Sequence, residues 1–80
     1  MQEEEEMITH EKIGSQIKLY REINHLTQNE LAAKLNICRQ TLSSYERGNT
    51  LPDIIMLWKI ADILYISIDQ LVGRDFSKTN

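Results

Sequence analysis

Residues 27–46 constrain this chain more than any other stretch. Thr27, Gln28, Asn29 and Glu30 read as a capping box, in which the threonine hydroxyl accepts from the third helical amide and the glutamate reaches back to the cap amide. Leu31, Ala32 and Leu35 supply the inner face of a short helix. Asn36 tolerates the left-handed backbone that ends a helix, and only Asn36, Ile37 and Cys38 precede a second short helix, expected over 39–46 and stopped by Gly48. Helices joined by so short a turn must cross sharply, with a small residue where they approach, and Ala32 stands there. Ile37, Leu42 and Tyr45 pin the second helix to the body.

The remaining sequence supplies partners for this pair. Ile13, Ile17, Tyr20 and Ile23 recur at helical spacing from about Lys12. Asp53 is an expected N-cap for a helix through Leu64, with Ile54, Leu57, Ile60, Ala61 and Leu64 as its buried stripe. Ser67 and Gln70 form a second capping box, opening a short helix that ends at Gly73. Only three Gly and one Pro occur in 80 residues, and nothing reads as a strand. The expectation is an all-α, compact five-helix domain over 9–75, with an acidic, flexible N-terminal tail over 1–8 and a frayed C-terminus over 76–80.

Charge decides little. The net charge of −3 comes with nine basic and twelve acidic residues, but Glu3, Glu4, Glu5 and Glu6 hold four of the acids. The body is near neutral and can still bind phosphates if its bases share one face. The tail reads as solvated, with a lesser alternative in which it competes with phosphates for that face. A single cysteine excludes an internal disulfide and suits a reducing, cytoplasmic setting. The N-terminus lacks a signal-peptide pattern, and the longest apolar run, 54–58, is too short to span a membrane. His10 and His25 read as surface residues with no metal partner set.

The helix over 39–46 carries the functional signal. At 100° per residue, Cys38, Leu42 and Tyr45 cluster on one side. Gln40, Ser43, Ser44 and Arg47 fall on the other, with Arg39 on the shoulder. An ordinary solvated face carries Glu and Lys; this one is short, polar and almost free of negative charge. Gln pairs bidentately with adenine and Arg with guanine, and the first residues of such a helix reach deepest into the major groove.

Residues 13–73 resemble the lambda-repressor/Cro-like, XRE-type family of helix-turn-helix regulators. The matching strings are Ile17-Lys-Leu-Tyr-Arg21, Leu26-Thr-Gln-Asn-Glu-Leu-Ala32, Lys34-Leu-Asn-Ile37, Tyr45-Glu-Arg-Gly48, Pro52, Lys59-Ile-Ala61 and Ser67-Ile-Asp-Gln-Leu71, in order and at the family's spacing. The resemblance implies base contacts from Arg39, Gln40 and Ser44, with Ser43 also in reach. It implies phosphate contacts from Gln28, Arg47, Asn49 and Thr50, and a structural ion pair between Arg21 and Glu46. It also implies a homodimer, for which Ile55, Met56, Ile63 and Tyr65 are the expected outward apolar residues. The sequence departs from the pattern at Cys38, where Ser or Thr usually caps the recognition helix, and at His25, Asn36 and Tyr65, where Gly is common. Cys38 reads as a half-buried cap filler, with a redox role as the alternative. Trp58 and Tyr20 read as core.

The functional expectation is a sequence-specific DNA-binding transcriptional regulator of repressor type, dimeric on a palindromic operator, with no cofactor, metal or small-molecule ligand. Alternatives are a protein-interaction module such as an antitoxin or adaptor, and a restriction-modification controller. An enzyme is not expected: no nucleophile–base pair, metal cluster or phosphate-cradling glycine loop is present.

Overall fold

A computed structural model of the chain describes residues 9–73, so the expected tails over 1–8 and 76–80 lie outside the described residues. Five helices follow in order: α1 (His10–Ile23), α2 (Gln28–Leu35), α3 (Arg39–Glu46), α4 (Ile54–Leu64) and α5 (Ile68–Leu71). Four of them begin at an oxygen cap. Thr9, Thr27, Asp53 and Ser67 each accept from the amide three residues on, at 2.8–3.1 Å, and the boxes at Thr27/Glu30 and Ser67/Gln70 both close. Thr9 starts α1 two residues before the apolar spacing predicts.

Helix ends repeat one device. His25, Asn36 and Tyr65 adopt φ of 59°, 61° and 60°, and Gly48 adopts 78°. Each amide bonds the carbonyl three residues back, and the next amide bonds five back, as in Asn36 to Ala33 at 3.1 Å and Ile37 to Ala32 at 3.0 Å. A left-handed non-glycine residue costs about 1 kcal/mol. Leu26, Ile37 and Ile66, which follow the three non-glycine caps, pack on the core and offset that cost.

The core draws on every helix. Ile17, Leu31, Leu42, Ile60, Leu64 and Leu71 are fully buried, joined by Ile13, Ala32, Leu35, Leu57 and Ala61. Tyr20 is half-buried against this cluster. Other expected core residues lie outside it. Trp58 is 63% exposed, Ile54 66% and Ile23 56%. On α4 the buried set centres on Leu57, Ile60 and Leu64; at 100° per residue Trp58 points about 110° away, and Ile54 lies on the margin at the first turn. On the opposite margin, Met56 and Ile63 are half-buried against the core rather than outward.

Gly14, unremarked in the sequence, fixes how closely α1 approaches α3. A Cβ there would lie 2.4 Å from the Tyr45 carbonyl oxygen and 2.6 Å from that of Glu46. Only glycine lets the helices come this near.

Candidate nucleic-acid interface

The base of the interface is an ion pair. Glu46, the one acid on α3, turns inward and is buried. Arg21 Nε donates to its Oε2 at 2.7 Å and Nη2 to its Oε1 at 3.1 Å, while Nη1 donates to the Leu26 carbonyl at 2.8 Å. This fork joins α1, α3 and the turn into α2. Hydrogen bonding to Glu46 raises the Arg21 pKa above its ordinary value against the opposing effect of burial, so the guanidinium stays charged. Breaking one side would strand a buried charge.

The recognition residues stand on this base. Gln28, at the first turn of α2, donates through Nε2 to Glu46 Oε1 at 2.9 Å and accepts from Arg39 Nη1 at 3.4 Å through Oε1. Its amide therefore bridges the buried pair and the guanidinium at the start of α3, a link that 18- and 11-residue separations hide from local pattern reading. Ser44 and Thr50 hydroxyls meet at 3.0 Å, tying α3 to the following loop. Arg47 donates to Ser43 Oγ at 2.7 Å. Gln40 and Asn49 are exposed, and Asn49 is held by its amide bond to the Ser44 carbonyl. Gln40, Ser43, Ser44 and Arg47 thus share one side of the α3 register, with Arg39 on its shoulder, while Leu42 and Glu46 anchor the helix to the core.

Cys38 is exposed rather than half-buried, because the N-terminus of α3 projects beyond the core. Its thiol makes no cap bond and instead meets Thr41 Oγ1 at 3.2 Å. Hydrogen bonding from Thr41 lowers its pKa. Tyr45 shifts the other way: burial, aided by the Asp53 charge, raises its phenol pKa.

The expected dimer residues divide. Ile55 is 61% exposed and Tyr65 87%, and with Ile54 and Trp58 they make the apolar surface of α4; Met56 and Ile63 serve the core instead. An open groove of about 840 Å³ runs between the α1–α2 and α4–α5 turns, lined in part by Leu26, Lys34, Ile63 and Tyr65 and by no residue of α3. No helix among the described residues is long and apolar enough to cross a membrane.

Two short helices joined by a three-residue turn, the second anchored on its inner side and free on its outer, define a helix-turn-helix module. The helix-turn-helix family model HTH_3 matches residues 17–71, and the chain belongs to this family, the XRE-type helix-turn-helix regulators. The chain is 41% identical over 69 residues to the HTH-type transcriptional regulator ImmR of Bacillus subtilis, covering 85% of this chain and 54% of ImmR. It is 40% identical over 63 residues to the CTXphi transcriptional repressor RstR of Vibrio cholerae, covering 79% of this chain and 56% of RstR. It therefore spans about half the length of these two relatives. Among solved structures it resembles the biofilm regulator SinR in complex with DNA, with TM-score 0.71 and 35% identity over 76% of this chain and 98% of that one.

Proposed function

We propose that this chain is a sequence-specific, repressor-type regulator that binds a palindromic operator in double-stranded DNA as a homodimer, in the cytoplasm. One observation carries the reading: α3 buries Leu42 and Glu46 while presenting Arg39, Gln40, Ser43 and Ser44 outward, with no carboxylate among them. Arg39 and Gln40, at the helix start, read base edges with Ser43 and Ser44 behind them. Gln28, Asn49 and Thr50 border this face and, with Arg47, supply donors to backbone phosphates, Gln28 from a helix N-terminus. SinR, solved with DNA, and RstR, named a repressor, support the direction of this reading. Two such helices related by a two-fold axis enter successive major grooves about 34 Å apart.

Arg39→Ala tests the assignment on an operator selected from random duplexes. It should weaken binding by about 1–3 kcal/mol and relax preference at one base position. Equal weakening on every sequence would make Arg39 a phosphate contact. A wild-type chain with no salt-dependent DNA affinity would replace the whole reading with a protein-interaction module.

A further inference from the structure

We infer that Arg47 is a second base-reading arginine beside Arg39, held over the recognition face by Ser43, rather than a residue that only grips a phosphate. The inference rests on the proposed DNA binding and assigns to Arg47 a role beyond it.

Arg47 follows the last residue of α3 and keeps helical backbone angles, φ −84° and ψ −5°, so the angular register of the helix extends to it. Taking Arg39 as zero, Ser43 falls at about 40°, Arg47 at about 80°, Gln40 at about 100° and Ser44 at about 140°. Leu42 at about 300° and Glu46 at about 340° lie on the buried side. Arg47 therefore occupies the middle of the outward face, not its rim. Side chains on a helix lean toward its N-terminus, and this one does: Nη1 donates to Ser43 Oγ at 2.7 Å, one turn back. The guanidinium is thereby drawn along α3 to the level of Ser43, one turn N-terminal to Arg47 itself.

The contact leaves the chemistry of a base reader intact. Ser43 is neutral, so its hydroxyl orients the guanidinium without cancelling the charge, and the group's other N–H donors remain for the O6 and N7 acceptors of guanine. Arg39 is held the same way at the other end of the helix, its Nη1 on the neutral amide oxygen of Gln28 at 3.4 Å. Two pre-oriented arginines on one face ask for two separate guanines in each half-site. Ser43 is then a positioning residue for Arg47, as Gln28 is for Arg39.

The experiment measures fluorescence anisotropy of labelled duplexes carrying the selected operator and each single base-pair substitution, across a salt series, for wild type, Arg47→Ala, Arg47→Lys and Ser43→Ala. Thermal melts confirm that the variants fold. Arg47→Ala should weaken the operator about 5- to 150-fold and flatten the preference at one base pair, different from the one flattened by Arg39→Ala. Arg47→Lys should flatten the same position, because an ammonium cannot make the planar fork. Ser43→Ala should blunt that position while leaving the salt slope unchanged. The proposal is overturned if Arg47→Ala weakens all duplexes alike and Arg47→Lys restores them, the signature of a phosphate contact. It falls too if the wild type selects no sequence; that result, unlike the former, also removes the DNA-binding reading.

Discussion

Cys38 is the one N-cap position on the four longer helices without an oxygen. Its backbone, φ −82° and ψ 155°, has the extended geometry that Thr27 and Asp53 use for capping, but the thiol makes no cap bond and the Thr41 amide turns to the Cys38 carbonyl at 3.1 Å. Replacing sulfur by oxygen keeps the backbone and supplies the side-chain acceptor that the other N-caps have. Cys38→Ser is therefore expected to stabilise the fold by about 0.5–1 kcal/mol, read as a melting temperature several degrees higher. An unchanged melting temperature would mean that the Cys38 carbonyl already serves that amide as well as a hydroxyl would. This deficiency was legible in the sequence because capping is local: the residue and its partner lie three positions apart. The Gln28 bridge was not. Its partners, Arg39 and Glu46, come from another helix, and nothing in the string of residues 27–30 marks a glutamine amide as shared between a buried carboxylate and a surface arginine.

Elements were read well where periodicity and caps agreed and poorly where apolarity was equated with burial. α2 and α3 follow from Thr27, Glu30, Asn36 and Gly48, each of which acts within one turn of itself. Trp58 and Ile54 were misplaced because α4 is apolar nearly all round, so composition alone cannot say which side faces the core. Gly14 gave no signal, because its reason is a contact with residues 31 and 32 positions later. That contact has a measurable consequence. In an isolated helix, Gly14→Ala would gain about 1 kcal/mol of propensity. Here the new methyl meets the Tyr45 and Glu46 carbonyl oxygens, backbone atoms that cannot swing aside, and α1 must move off α3. Overpacking of this kind costs about 1–3 kcal/mol, so the net effect should be a lower midpoint in urea. Ser15→Ala, on the exposed next position, is the control and should be neutral to slightly stabilising. A stabilised Gly14→Ala would show that α1 and α3 separate at little cost.

At the scale of the whole molecule, the apolar surface of α4 asks for a partner, and the proposed operator symmetry says that the partner is a second copy. Ile54, Ile55 and Trp58 lie within about 100° of one another on the helix, and Tyr65 extends the patch past its C-terminus. Because Trp58 contributes nothing to the monomer core, Trp58→Lys should leave the fold intact while placing a charge in the middle of the contact. Sedimentation equilibrium should find the wild type dimeric and Trp58→Lys monomeric, with wild-type tryptophan emission shifting to shorter wavelength as concentration rises and the indole loses water. Loss of the dimer also separates the two half-site contacts, so operator affinity should fall by about 10²- to 10⁴-fold while binding to an isolated half-site is unchanged. Tyr65→Gly separates assembly from folding in the other direction. It relieves the left-handed strain at φ 60° and should hold or raise the melting temperature of the dilute monomer, yet weaken dimerisation by removing a side chain that is 87% exposed in the single chain. Dimers that persist in both variants would place the interface elsewhere and leave the α4 surface to a different protein.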